Sequence, residues 1–354
     1  MIWSNKKHKT HTFIFGTQGN YQQNSNDPKA EEILLNNLST NNQGIFGMVY
    51  SKFTKKLNTQ AGIRLDRNQF LIPKNTTINE DLELNYQSIN YSAGISYTSS
   101  KHSYRFNISS GYRPPHPIES LADGIHHASR KYEIGDINLK PEYANQIDFS
   151  YEYNNEHFDV NFNPYFSAIS NYTFLSFSDS TINGYQVYNY KQNKQAFLYG
   201  TEINLHYHPH FLHNLHLETN LSYLFAENQN KKNIANIPQP KINSTITYNF
   251  HSKSKLLPKL IAIQHTYFGA QNRVVENEIS SVDYQLLDIG INWKIDVKQI
   301  KGSFKLGTKN IFNKKYINHL SELKILGIPN PGRNFYITLK LNFNSKINKN
   351  EKTN

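Results

Sequence analysis

Hydrophobic and polar positions alternate along most of this chain. From Ile89 onward, Tyr91, Ala93, Ile95 and Tyr97 share one face, and Asn90, Ser92, Gly94, Ser96 and Thr98 share the other. Leu215, Leu217, Thr219, Leu221, Tyr223 and Phe225 alternate in the same way with His216, Glu218, Asn220 and Ser222. The pattern returns at Leu287, Ile289, Ile291, Trp293 and Ile295, and again at Phe335, Ile337, Leu339, Leu341 and Phe343. A strand turns successive side chains to opposite faces, so each run predicts a β-strand with one apolar and one polar side. A soluble sandwich and a membrane barrel share this local pattern.

Fourteen such segments are expected, at about 9–22, 42–54, 57–71, 85–99, 102–112, 142–154, 157–173, 185–208, 213–227, 240–251, 257–270, 283–295, 301–313 and 332–343. Most exceed the ~5–6 residues of an ordinary soluble strand. They are long enough to supply the ~9–11 tilted residues that cross a bilayer. Short connections fall near 55–56, 100–101, 155–156, 209–212, 252–256 and 296–300. Long polar ones fall at 23–41, 72–84, 113–141, 174–184, 228–239, 271–282 and 314–331.

Because antiparallel strands put successive connections at opposite ends, every long loop emerges from the same end. This segregation predicts an all-β fold, an antiparallel transmembrane β-barrel, rather than a two-sheet Greek key. The apolar sets then face lipid, and the lumen receives Arg64, Asp66, Asp148, Glu152, Glu202, Glu218, Asp288 and Lys294. The reason is energetic, since a charge costs ~2–4 kcal/mol at the lipid midplane.

Composition sharpens this picture. Hydrophobic residues make up 37% of the 354 residues, below the ~45–50% of globular chains. There are 24 Tyr and 21 Phe, which suits aromatic rims around a polar lumen. Tyr112, Tyr172, Tyr223 and Tyr267 lie near the outer ends of strands and fit such a girdle. The absence of cysteine excludes disulfides and thiolate metal sites.

The net charge of +11 raises nucleic acid or anionic lipid as partners. No basic run coincides with an aromatic stacking motif or helix, so the charge reads as Lys-rich loops. Outer-membrane lipid is expected as a partner and nucleic acid is not. No stretch approaches the ~20 apolar residues of a transmembrane helix. The opening MIWSNKKHKTHTFIFG has no apolar core followed by a small-residue cleavage site. The expectation is that an export signal is missing from this chain. G-x-S-x-G, H-E-x-x-H, P-loop and G-x-G-x-x-G patterns are absent, and no enzyme is expected.

The longest interruption, GYRPPHPIESLADGIHHASRKYEIGDINLKPE, runs from Gly111 to Glu142. It carries His116, Glu119, Asp123, His126, His127, Glu133 and Asp136. Imidazole and carboxylate suit first-row metals, and zinc binds them at ~2.0–2.2 Å. The segment is either a metal-capturing loop or a surface loop shaped by its Pro and Gly residues. A second histidine group, His206, His208, His210, His213 and His216, surrounds the turn at Pro209. It reads as turn structure, with a metal exit site as the alternative. Arg333 and Asn334 open the last strand and read as a turn and interstrand element.

Gly111-Tyr112-Arg113-Pro114-Pro115, Glu119-Ser120-Leu121 and Asn138-Leu139-Lys140-Pro141-Glu142 together resemble a segment of TonB-dependent outer-membrane receptors. There a strand ends in "G-F/Y-R-x-P" and the next begins with "N-L-K-P-E". Asn310-Ile311-Phe312-Asn313-Lys314-Lys315-Tyr316 resembles the family's "N-L-F-N-K-x-Y", and Pro331-Gly332-Arg333-Asn334-Phe335 resembles the opening of its last strand. The resemblance runs from about residue 9 to 343. Asp123–Ser129 and Tyr132–Gly135 further resemble a metal-uptake subgroup that includes zinc receptors and reads "G-x-H-x-A-T…F-E-x-G". Ser129 stands for its Thr and Tyr132 for its Phe. This points to His126 and Glu133 as metal ligands.

The family implies a barrel of about 22 strands filled by an N-terminal plug. It also implies active import in the outer membrane of a Gram-negative bacterium, powered by TonB-ExbB-ExbD. Residues 1–343 are therefore expected to be the C-terminal part of such a barrel, with fourteen strands and no plug, so that TonB-ExbB-ExbD contact would run only through the missing plug. Residues 344–354 are expected to be a polar tail. The expected function of the intact receptor is import of a metal ion or metal chelate (siderophore, haem or zinc), with no cofactor beyond the transported ligand. The alternatives are a complete fourteen-stranded passive channel, since bacterial barrels use even counts, and a soluble or surface β protein that binds through its loops.

Overall fold

The computed structural model describes residues 1–4, 10–74, 80–251, 257–297 and 300–343, and the expected tail 344–354 lies outside them. The chain opens with a three-residue strand β1 (Ile2–Ser4), then β2 (His11–Asn24), β3 (Leu38–Lys52), β4 (Leu57–Ile72), β5 (Leu82–Thr98) and β6 (His102–Arg113). A short helix α1 (Pro117–Leu121) and two short strands, β7 (Asp123–His126) and β8 (Lys131–Ile134), follow. The second half holds β9 (Glu142–Asn154), β10 (Phe158–Ile182), β11 (Tyr185–Tyr207), β12 (Leu215–Asn228) and β13 (Lys241–Asn249). It finishes with β14 (Leu260–Phe268), β15 (Tyr284–Val297), β16 (Ile300–Lys309) and β17 (Asn334–Phe343).

The fourteen long strands are the fourteen expected from alternation. Their antiparallel registers run without a break from β2 to β6, directly on to β9, and from there to β17. Arg113 pairs with Glu142 at the β6–β9 junction, so residues 114–141 leave the wall and fold at its long-loop end. With β1, β7 and β8 the sheet has seventeen strands. Among the described residues no helix is long and apolar enough to cross a membrane.

One expectation is corrected. Residues 174–184 are the tip of a tall hairpin rather than a loop, with β10 and β11 running to Asn183 and Gly184. Both turn residues have left-handed backbones, φ 52° and 76°. Asn-Gly supplies this two-residue turn at little steric cost. The extra height gives β8 a partner: Lys131–Ile134 pairs in parallel with Gln186–Asn189 of β11.

The wall has an apolar and a polar face. Cross-strand registers align Ile45, Leu65 and Ile89, then Ile108, Ile147, Phe166, Tyr199 and Phe225. They also align Ile246, Ile263 and Ile289, and Ile291, Leu306 and Ile337. This band is solvent-exposed in the isolated chain; Ile89, for example, is 64% exposed. The opposite face aligns Asp159, His206, Glu218, Thr245, Gln264 and Asp288 in one polar row. On the same kind of face Arg64 pairs with Asp66 at 2.6 Å, and Gln146 donates to Asp148 at 2.7 Å.

A sandwich would hide its apolar face between two layers, whereas here that face points outward. The dry clusters are small and lie at the long-loop end. Leu38, Phe70, Ile72 and Leu121 form one, and Ala196, Ala226, Ile234 and Ile237 form the other.

Candidate functional site

The site grows from the end of β6. Pro114 and Pro115 carry no backbone N–H, so the chain cannot continue the sheet ladder there. His116 then caps α1, its Nδ1 accepting from Ile118 N at 3.4 Å while the Glu119 carboxylate accepts from His116 N at 2.7 Å. This reciprocal arrangement is a capping box. The Arg113 guanidinium joins the motif residues by donating to Glu119 at 2.8 Å and to Glu142 at 2.8 Å. Glu142 also accepts from Thr173 N at 2.6 Å. One side chain therefore ties the end of β6, α1, the start of β9 and, through Glu142, the tall hairpin.

The β7–β8 hairpin lies against this latch. Gly135 N donates to Ala122 O at 2.7 Å. A Cβ on Gly135 would stand 2.6 Å from Leu121 N, so the close approach of hairpin and helix requires glycine here. Within the hairpin, His126 Nδ1 lies 2.9 Å from Glu133 Oε1. Glu133 is 3% exposed and accepts a second hydrogen bond from Tyr190 OH at 2.8 Å. A carboxylate accepts only, so His126 Nδ1–H donates and Nε2 carries the free lone pair. That is the carboxylate–histidine arrangement that orients imidazole ligands toward metals. Ser129 Oγ, 3.0 Å from the same Nδ1, adds a local brace.

The other expected ligands have different positions. His116 and Glu119 meet each other in the helix cap. Asp123 accepts from Tyr132 OH at 2.9 Å. His127 Nε2 lies 2.7 Å from Glu32 in the β2–β3 connection, and Asp136 closes its own turn by accepting from Asn138 N at 2.9 Å. Among the described residues, no three of the seven bring ligand atoms together within 4.8 Å of one another. His126 and Glu133 are the pair that the fold unites across the hairpin.

Beside the hairpin lies a cavity of about 860 Å³, lined among others by Lys131, Tyr188, Asn230, Glu278, His319 and Glu322. Lys131 Nζ reaches Glu322 at 3.0 Å and stands 5.2 Å above the Tyr188 ring, joining the hairpin to the last long connection. His319 is buried, with its Nε2 3.2 Å from Glu278, and its Nδ1 2.9 Å from Ser281 Oγ and 3.0 Å from Lys324 Nζ. Burial, and then the Lys324 ammonium, hold this imidazole below its ordinary value of 6.5, against the opposing pull of Glu278. Burial also lowers Lys324. None of Lys131, Glu278, His319 or Glu322 was singled out by the sequence.

A histidine whose folded-state value is depressed takes up its proton more readily when unfolded. Its contribution to stability is therefore full above 6.5 and is lost as pH falls below it. Acidification from pH ~7.5 to ~5.5 is expected to lower the hydrogen-exchange protection factors of residues 274–282 and 316–326 selectively, relative to intrinsic exchange at each pH. His319→Gln should remove that acid dependence, and an acid response unchanged in this variant would contradict the assignment.

The family described as "TonB dependent receptor-like, beta-barrel" matches residues 3–313. The copper transporter OprC superposes with a TM-score of 0.78 at 16% identity, covering 95% of this chain and 54% of that one. The FrpB iron transporter from Neisseria meningitidis (F3-3 variant) gives 0.69 at 15% identity, with 97% and 54% coverage. A double mutant of the Serratia marcescens hemophore receptor HasR, in complex with its hemophore HasA and heme, gives 0.70 at 12% identity, with 97% and 57% coverage. At these identities the likeness establishes the fold, and the chain spans little more than half the length of each of these proteins. With the family match covering most of its length, and an outward apolar band and one-ended long loops to go with it, the chain belongs to the β-barrel family of the TonB-dependent receptors.

Proposed function

We propose that this chain forms the barrel wall and outer loops of an outer-membrane receptor that imports a metal ion or metal chelate. The observation that carries the reading is the His126–Glu133 pair. A buried carboxylate fixes the imidazole tautomer, and the side chain of His126 remains 42% exposed at the long-loop end. That similar structures include a copper transporter, an iron transporter and a hemophore receptor bound to its hemophore and heme supports the ligand class. In this reading the long loops face the outside of a Gram-negative cell and the apolar band meets lipid. The 113–141 segment captures ligand, with His126 as its anchor and His127 and Asp123 at its rim. Energy from TonB-ExbB-ExbD enters through a plug that other residues of the receptor supply.

The test is binding and metal-restricted growth with the receptor that carries this chain, using Zn²⁺, a ferric siderophore and haem as separate ligands. Glu133→Gln is expected to weaken binding of the true ligand by about 10–100-fold, the range seen when the supporting carboxylate of an imidazole ligand is lost, and His126→Ala is expected to weaken it by at least as much. Unchanged affinity for all three ligands in both variants would contradict the assignment.

A further inference from the structure

The opposite end of the barrel carries a second concentration of chemistry. At the short-turn end, the fold adds His157, from the β9–β10 turn, to His206 and His208 around the end of β11, His210 and His213 in the next turn, and His216 on β12. Six imidazoles thus gather where the sequence shows five in one stretch. Two groups have their ligand nitrogens within 4.8 Å of one another: His157, His210 and His213, and His206, His208 and His216. The groups adjoin, since the His157 and His208 rings are 5.0 Å apart.

Within each group one pair of imidazole nitrogens lies at hydrogen-bond distance. His206 Nε2 faces His216 Nδ1 at 3.1 Å, and His210 Nδ1 faces His157 Nε2 at 3.0 Å. Two imidazole nitrogens around a tetrahedral zinc with bonds of ~2.0–2.1 Å stand about 3.4 Å apart, so both pairs need to open by only a few tenths of an ångström. Asp159 Oδ2 lies 3.0 Å from His206 Nδ1. It thereby fixes the tautomer that turns the Nε2 lone pair toward His216, as a supporting carboxylate does in metal centres. The Nδ1 atoms of His157 and His208 are buried and have no hydrogen-bond partner. A buried polar atom without a partner is costly, and coordination of a metal ion by His208 Nδ1 would satisfy that atom. The backbone is also braced here: His208 N donates to His157 O at 2.9 Å, and Leu212 N to Pro209 O at 3.1 Å.

We propose that these residues form two adjacent tri-histidine sites for late first-row divalent cations, at the short-turn end and on the lumen side of the wall. The ligands of one are His206, His208 and His216, with Asp159 orienting His206. Those of the other are His157, His210 and His213. Imidazole without thiolate favours Zn²⁺, Cu²⁺ or Ni²⁺ over the hard cations. The inference stands on this cluster alone and does not depend on what the long loops capture.

The experiment is Zn²⁺ binding by the untagged, folded receptor that carries this chain, in detergent, read as stoichiometry by equilibrium dialysis. The triple change His206→Ala, His208→Ala, His216→Ala should remove one equivalent of tight zinc. The triple change His157→Ala, His210→Ala, His213→Ala should remove another, and all six together should remove both. Stoichiometry unchanged in both triple variants overturns the proposal. Should a variant fail to fold, as judged by heat-modifiable migration, the unaltered protein decides. Its Cu²⁺ spectrum should show hyperfine splitting from several histidine nitrogens, and a spectrum with oxygen ligands only overturns the sites.

Discussion

Ile263→Arg is expected to destabilise the membrane-inserted barrel by about 2–4 kcal/mol, while Gln264→Arg, one residue further on, is expected to be near neutral. Ile263 sits in the middle of β14, in register with Ile246 and Ile289, on the exposed apolar band. Arginine there must lie against hydrocarbon. Gln264 faces the lumen row, directly opposite Thr245 and Asp288. A guanidinium in that position gains the Asp288 carboxylate as a neighbour in a wet environment. Denaturant unfolding from lipid vesicles measures both. Equal costs for the two substitutions would mean that the two faces have been assigned wrongly.

The second large effect is expected at Arg113. Its guanidinium holds Glu119 and Glu142, whose side chains are only 15% and 13% exposed. Arg113→Ala leaves two half-buried carboxylates without their cation. Breaking a fully buried pair costs 3–5 kcal/mol; with Arg113 itself 42% exposed, a loss of about 2–3 kcal/mol is expected after solvent screening. The loss should be local, freeing α1 and the β7–β8 hairpin while the wall persists. Trypsin cleavage at the exposed Arg130 in the hairpin turn reports it. Cleavage should accelerate strongly in Arg113→Ala and to a smaller degree in Arg113→Lys, because lysine keeps the charge but not the fork that engages two carboxylates. Cleavage at the unaltered rate in the alanine variant would refute the latch.

The wall was legible because its signal is local. Each long strand repeats a two-residue period, and fourteen expected segments correspond to fourteen long strands. The tall hairpin is hard to see in the sequence because Ser176, Ser178, Asp179 and Ser180 look like loop composition, while its real marker is the two-residue Asn183-Gly184 turn. The capping box was hidden because histidine is an uncommon helix cap, and here it lies within Pro114-Pro115-His116-Pro117.

The site was only partly legible for a different reason. His126 and Glu133 share one hairpin and one motif, so a short stretch of sequence names both. His319 needs Glu278 from another connection, and Lys131 meets Glu322 across 191 positions. His157 joins the other five histidines only because β10 and β11 are neighbours in the sheet. A single sequence shows the residue types in each case and carries no signal of their meeting.

The central claim is a membrane barrel whose long loops face outward and whose short turns face the periplasm. The chain has no cysteine, so each single cysteine introduced into it is its one thiol, and the receptor without an introduced cysteine gives the background. Ala128→Cys in the β7–β8 turn and Glu276→Cys in the β14–β15 connection mark the long-loop end, and Lys55→Cys and Glu156→Cys mark the short turns. With a membrane-impermeant maleimide on intact cells expressing the receptor, the first two are expected to label. The last two should label only after the outer membrane is permeabilised. Labelling of Lys55→Cys and Glu156→Cys in intact cells, with Ala128→Cys and Glu276→Cys protected, would contradict the orientation, and equal labelling of all four in the soluble fraction would contradict the membrane barrel itself.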